Sequence, residues 1–409
     1  MAIAVIETLN FGLGYLVDAA RSRGHDLFLL TCNRGFYQHE LARAESVGVN
    51  VVDVDTSDVV KVVSALRNIA DLQGIVRMTD LWSMPAIEAA EQLGLPRQSG
   101  DAVALLRSKG ELRDHLHNHG FSRAPSVVFD PYTTEAGEVS KQLGYPCVVK
   151  DVAGSSSQNV WLVKTPSDLR PVIDAARKSA QVRGGALTAE PYFVGPLYSA
   201  ETLSWGGETR ILGITSRSLS PEPYFREDTL SFPVAFPEAK AKELVDWVGS
   251  ILSTVGYREG FTHTEFIVTS EGFEIVEINP RLGGALVGES IHQTFGVNVH
   301  EAFIDLALGK RPALMDAQLM PQRGTAQVLV YAQEVGVFEG FAGEELLAHH
   351  PGEPTLYPLR RPGDFVPSTT DQTGAVAVLF ATGASAELAL HNVVSALGKL
   401  GVHTKPEGK

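Results

Sequence analysis

Short apolar runs alternate with amphipathic stretches through the first part of the chain. Ala2–Thr8, Asp26–Thr31, Val49–Val54 and Gly74–Met78 read as strands, and Leu13–Arg23 and Val59–Leu72 have helical length and spacing. Strands alternating with helices of this length need crossover connections, so the pattern predicts a parallel sheet. From Gln98 the texture changes. Ser108 followed by Glu111 has capping-box spacing and predicts a helix running to about His119-Gly120. Ala124–Phe129, a helix over Thr134–Leu143, the strand Tyr145–Lys150, a polar loop Gly154–Asn159 and the strand Val160–Val163 follow.

The most informative pattern lies further on. Thr262–Thr269 and Phe273–Asn279 are β-rich runs joined by Ser270-Glu271-Gly272, which predicts a hairpin with Gly272 in the glycine-favouring position. Pairing Thr269 with Phe273 places Glu265 directly opposite Glu277, with Asn279 on the same face. Two carboxylates facing each other across a ladder destabilise a sheet unless something neutralises them. A cation held by Glu265, Glu277 and the Asn279 carbonyl oxygen would do so. All-oxygen ligands suit magnesium, and an incomplete protein shell implies phosphate oxygens as further ligands. The alternative is a solvent-facing hairpin, but Arg281 and then Gly283-Gly284 follow at once. An arginine there suits phosphoryl charge, and paired glycines allow close backbone approach to a ligand.

Composition narrows the function. The chain has 409 residues, enough for two or three domains with a cleft between them. Its 34 basic and 48 acidic residues give a net charge of −14, which argues against bulk nucleic-acid binding but leaves room for a small anionic ligand. The apolar stretch Gly374–Leu397 is broken by Glu387, His391 and Asn392, so no membrane span is expected. Met1–Leu9 has no basic residue and carries Glu7 where a signal peptide would be apolar, so a cytoplasmic location is expected. Cys32 and Cys147 are too few for a disulfide framework and read as small core side chains. His115, His117 and His119 lack a further ligand and read as a solvated helix end.

Lys150 ends a buried-looking strand, where an ammonium requires an anionic partner. Lys109 stands in the first turn of a helix, which also favours anions, and the loop after Gly154 offers N–H and hydroxyl groups to phosphates. Arg217, Arg226 and Glu227 are candidates to hold charged substrate groups, but each by itself reads as a surface residue, since most charged residues are exposed. Asn10-Phe11-Gly12-Leu13-Gly14 is a broken dinucleotide fingerprint, with Val17 in place of the third glycine; it reads as a tight turn beside a substrate pocket.

Glu277-Ile278-Asn279-Pro280-Arg281-Leu282-Gly283-Gly284, preceded by His263-Thr264-Glu265-Phe266, resembles the ATP-grasp superfamily, and within it the carboxylate–amine ligases that make dipeptides, the L-amino acid ligases. The resemblance runs from about Lys109 to Pro312. It implies an α/β chain, α+β in its ATP-binding part, with an N-terminal parallel α/β domain (1–107), a central lid (108–189) and a C-terminal catalytic domain (190–409) with a subdomain from about 312. It assigns Lys109, Lys150, Ser155, Ser156 and Ser157 to ATP phosphates, and Glu190, Pro191, Tyr192 and Phe193 to the adenine hinge. Glu265, Glu277 and Asn279 match ligands of Mg²⁺ or Mn²⁺, Arg281 matches the catalytic arginine, and Glu201, His263, Gly283 and Gly284 fall near the substrates. Leu197 and Asn159 depart from the pattern, standing where relatives often have a ribose-binding glutamate and a glycine. The implied activity is ADP-forming amide synthesis from small carboxylate and amine substrates through an acyl phosphate, in small-peptide or natural-product biosynthesis; the resemblance also allows a homodimer. Three other readings stay open: a ligase with a non-amino-acid acyl donor, a non-catalytic nucleotide-binding protein of the same fold, and a NAD-type oxidoreductase built on Gly12 and Gly14.

Overall fold

The computed structural model describes residues 1–44, 48–152, 154, 157–179 and 185–406. Ser155 and Ser156 lie outside the described residues.

The strand Ala2–Ile6 is buried along its whole length, and its two faces serve two cores. Ile3 and Val5 pack with Leu13 and Leu16, whereas Ala2, Ala4 and Ile6 pack with Val62, Val63 and Leu66. A strand covered on both faces by helices is the hallmark of a parallel sheet. The sheet is parallel, in the order Asn50–Asp53, Asp26–Thr31, Ala2–Ile6, Leu72–Val76.

This domain is docked on the far part of the chain. Helix Leu13–Ser22 packs on helix His300–Ala307, and Arg23 clamps the pair through Asp305 (2.7 Å) and Glu301 (3.2 Å). His300 is buried in this contact, and burial, aided by the nearby His292, pushes its pKa down to about 4. The unfolded chain therefore binds the proton more readily, so the stability this residue contributes is present above about pH 6.5 and lost as pH falls through about 4. His300→Gln should flatten the acid limb of a stability-versus-pH curve over that window, by up to about 3 kcal/mol. An unchanged acid limb in denaturant titrations would refute this.

A second, antiparallel sheet runs Val127–Phe129, Leu187–Pro191, Cys147–Asp151, Val160–Val163. Helix Leu169–Lys178 closes its core with Leu169, Val172, Ile173 and Ala176. The largest sheet has eight antiparallel strands, in the order Gly272–Asn279, Gly260–Thr269, Leu197–Trp205, Glu208–Leu219, Glu227–Phe232, Gly324–Tyr331, Ala375–Gly383, Thr355–Pro358. The apolar stretch Gly374–Leu397 resolves into the strand Ala375–Gly383 and the helix Ala386–Leu397, packed on each other. Among the described residues no helix is long and apolar enough to cross a membrane.

Three expectations need correction. Ser108 starts the helix Lys109–Asn118, but its side chain makes no capping bond. The residue also ends the preceding helix Gly100–Arg107, where its N–H donates to the Ala104 carbonyl, so one residue links two helices. Cys147 is buried but Cys32 is exposed, because the chain leaves the sheet immediately after Thr31. The hairpin turn is also tighter than the spacing implied, with consequences for the site.

Candidate active site

In the hairpin Thr269 pairs with Gly272, leaving Ser270-Glu271 as a two-residue turn; Gly272 has φ +130°, open to glycine. Pairing near the turn is thus one residue out from the expected register. A bulge restores it: Phe266 faces Ile275, Glu265 faces Glu277, and Val276 is the extra residue between them. The bulge also turns backbone carbonyls toward cations. Ile275 O accepts from Arg113 (2.6 Å) and Val276 O from Lys150 Nζ (3.4 Å).

Lys150 lies on the strand Cys147–Asp151, almost fully buried, with its ammonium 2.8 Å from Glu190. Glu190 also pairs with Arg113 at 3.1 Å. One carboxylate thus serves two cations, and Lys109 adds a third to the neighbourhood. Burial disfavours charge on Glu190, but Lys150 and Arg113 outweigh it and hold its pKa below the usual carboxylate range. Lys150 is pulled below the usual lysine value by burial, against Glu190, with Lys109 and Arg113 adding repulsion. Excess positive charge in a low-dielectric cleft suits a polyanion. Lys109 Nζ donates to the Gly154 carbonyl and stands 3.9 Å from Glu277, which ties the helix start to the polar loop and the hairpin. In that loop Ser157 and Asn159 have φ near +55°. Asn159 therefore keeps a backbone conformation that glycine adopts freely and that asparagine tolerates, and its Oδ1 accepts from Ser179 (3.0 Å).

At the end of strand Leu187–Pro191, Pro191 pairs with Cys147 and the Tyr192 N–H donates to the Pro146 carbonyl (3.1 Å). The Phe193 ring lies 5.6 Å from the Arg113 guanidinium, and the Tyr192 ring 6.3 Å from Phe225.

Behind Glu265 sits a buried charge cluster. Glu201 is fully buried; its Oε1 is 2.5 Å from His263 Nδ1, and its Oε2 accepts from the Gly283 N–H (2.9 Å). His263 Nε2 is 3.2 Å from Glu265 and 2.8 Å from Arg217. Burial opposes a charge on His263, yet Glu201 and then Glu265 push its pKa up to about 9, against repulsion from Arg217. Arg217 also pairs with Glu265 (3.1 Å) and with Glu227. Burial raises the Glu227 pKa, with Arg217 pulling against it. Glu265 is held below the usual range despite burial, chiefly by Arg217. Arg217 thus lies in the field of four carboxylates: Glu201, Glu227, Glu265 and Glu277.

The pair expected to hold a metal fits one as a partial shell. Asn279 donates its side-chain N–H to Glu277 (2.8 Å), which leaves its Oδ1 without a donor among the described residues. Glu265, Glu277 and this oxygen are hard donors suited to Mg²⁺. Among the described residues no group of three His, Cys, Asp or Glu side chains is placed to hold a metal ion unaided. Glu265, Glu277 and Asn279 thus form a partial shell with room for oxygen ligands from outside the protein.

Arg281 is anchored across the domain boundary: its Nε donates to Asp80, and its Nη1 to the Leu282 carbonyl (2.9 Å). The paired glycines differ. A Cβ at Gly283 would stand 2.8 Å from His263 Nδ1, whereas one at Gly284 would meet nothing within 4 Å. Gly283 lets the turn pack on the charge cluster, and Gly284 faces open space.

Sequence reasoning misplaced Arg217 and Glu227, read as surface but buried. It also missed Arg113 and Asp80. Arg113 had a signal, four residues after Lys109 and so on the same helix face; Asp80 had none.

A family model described as an ATP-grasp domain matches residues 143–289, and one described as an ATP-grasp N-terminal domain matches 17–97. The chain belongs to the ATP-grasp superfamily. Its fold is the ATP-grasp fold: superposed on the L-amino acid ligase from Bacillus licheniformis, this ATP-grasp chain gives a TM-score of 0.82 over 99% of its length and 98% of the other's, at 19% identity. It is 25% identical to the uncharacterized protein y4rH of Sinorhizobium fredii over 97% of its own length and 82% of that protein's. It is also 25% identical to human carnosine synthase 1 over 241 residues, 55% of this chain. The chain spans only 29% of that synthase.

Proposed function

We propose that this ATP-grasp protein is an ADP-forming carboxylate–amine ligase that makes an amide bond between small substrates, of the dipeptide type. The observation that carries the reading is the convergence on one hairpin of Glu265 opposite Glu277, the lysines Lys109 and Lys150, and Arg281 just beyond. A carboxylate oxygen of one substrate takes the γ-phosphoryl group of ATP, ADP leaves, and the second substrate's amine displaces phosphate. Lys109 and Lys150 hold phosphate oxygens, and the loop containing Ser157 covers them. Backbone groups of Glu190–Phe193 hold the adenine. Arg281, held by Asp80, faces the charge that develops on the transferring group and on the later tetrahedral oxygen. Glu265, Glu277 and Asn279 would hold magnesium, which when bound offsets phosphate charge that would repel the attacking carboxylate. Positioning and charge compensation supply the catalysis, without a protein nucleophile. The likeness to an L-amino acid ligase and a carnosine synthase supports the amide-forming reading.

The test is an ATP-dependent phosphate-release screen over pairs of amino acids, with the product read by mass spectrometry. ADP, phosphate and an amide in equal amounts are expected; AMP and pyrophosphate would instead mean adenylation.

Two substitutions separate the roles. Arg281→Ala should lower kcat about a hundredfold with little change in ATP affinity, because its interactions form mainly in the transition state. Lys150→Met should weaken ATP binding tenfold or more, about the contribution of one charged hydrogen bond. Equal losses of ATP affinity in calorimetry would make Arg281 a ground-state clamp.

A further inference from the structure

Where the N-terminal domain meets the catalytic domain, a cavity of about 390 Å³ runs from Gly12 to Leu282. One end therefore touches the turn that carries Arg281 and Gly283. Among the described residues lining it are three carboxylates, Asp18, Glu40 and Glu289, and no lysine or arginine. Phe11, Tyr15 and Tyr357 supply aromatic walls.

The cavity does contain one feature that ordinarily attracts anions, the N-terminus of helix Leu13–Ser22. It is already filled. Glu40 Oε2 accepts from the Gly12 N–H (3.1 Å) and the Leu13 N–H (2.9 Å), so a protein carboxylate already sits at the positive end of the helix dipole.

His300 supplies an independent observation. It is 3% exposed and lines the cavity. The Asn298 side-chain NH₂ donates to the Tyr15 carbonyl (2.9 Å), so its Oδ1 is the atom facing His300. That oxygen accepts from the His300 backbone N–H (3.0 Å) and lies 3.3 Å from Nδ1, which puts the ring proton on Nδ1. Nε2 is then a bare acceptor, with no hydrogen-bond partner among the described residues. It points toward Gly12, where a Cβ would stand 2.6 Å from it. Glycine at position 12, with φ +101°, makes the turn and gives the His300 ring room to pack against it.

The cavity thus offers negative charge and aromatic faces, and the Gly12 and Leu13 amides are taken by Glu40. We propose that it binds the cationic end of a substrate, an amino acid or amine whose side chain carries a protonated nitrogen, with its reacting group at the Arg281–Gly284 turn. Glu289 and Asp18 supply negative charge at the cavity, and the aromatic rings add cation–π attraction. The assignment rests on the ligase reading for the reaction, but not for the binding.

Calorimetric titration of the chain with L-lysine, L-norleucine and L-glutamate, with saturating MgADP, tests it. Norleucine matches lysine in length and lacks the terminal ammonium. L-lysine should bind at least about tenfold tighter than norleucine, the contribution of one charge-assisted contact, and glutamate weakest. Glu289→Gln should shrink the lysine preference several-fold and leave norleucine affinity unchanged. Norleucine or glutamate binding as tightly as lysine, or no saturable lysine binding, overturns the proposal. Phosphate release with the same three amines and a panel of acyl donors keeps the two readings apart. Lysine preference without phosphate release from any pair would sink the ligase reading and leave the cavity assignment standing. Turnover with norleucine bound tighter than lysine would do the reverse.

Discussion

Replacing Arg217 by methionine is expected to destabilise the chain by about 3–5 kcal/mol, the usual result of removing one partner from a buried ion pair. Methionine keeps most of the side-chain volume, so the loss would not come from a cavity. It would come from Glu201, Glu227, Glu265 and Glu277, the carboxylates whose charge Arg217 offsets. Glu227 pairs with Arg217 directly, and Glu265 is held ionised chiefly by it. Adding Glu227→Gln to the methionine variant should recover part of the loss, because it removes one uncompensated charge. Denaturant unfolding of the single and double variants checks both effects. A loss under about 1 kcal/mol would show that Arg217 behaves as a surface residue, the role its sequence position suggested.

That misreading shows where legibility stopped. The N-terminal sheet was readable because short strands alternate with helices of crossover length, which a parallel sheet requires. The hairpin was readable because β-rich runs flank a glycine turn. Its register near the turn was not, since no local rule places a bulge at Val276; the Glu265–Glu277 pairing emerged in spite of it, because the tighter turn and the extra residue cancel. The burial of Arg217 and Glu227 depends on strand Glu208–Leu219 lying between Leu197–Trp205 and Glu227–Phe232 in the sheet. Charged residues are mostly exposed, and only this pairing overrides that expectation. Asp80 lies 201 positions from Arg281, a contact that the docking of two domains creates and no spacing announces. Glu190 fell in the hinge by resemblance, but its side chain is committed to Lys150 and Arg113, so any contact it makes with a nucleotide is through its backbone.

Glu277→Gln should separate stability from function most sharply. Glutamine matches the shape of glutamate, and its oxygen can still accept from Asn279. Glu277 is partly exposed, with a side-chain exposure of 29%, so no core volume is lost. Directly across the ladder stands Glu265, and like charges in that position repel. The variant should therefore melt at the wild-type temperature or slightly above it. Turnover should fall about a thousandfold or more. A metal ligand's charge contributes several kcal/mol to stabilising phosphoryl transfer, and each 1.36 kcal/mol is a factor of ten in rate. The paired measurement is a melting curve in the absence of ligand together with steady-state rates over a magnesium titration. Loss of rate only partly overcome by high magnesium, with melting unchanged, fits a ligand that exists for the reaction and costs the empty fold some stability. A variant that melts many degrees lower yet keeps its rate would make the hairpin structural and remove the metal from Glu277.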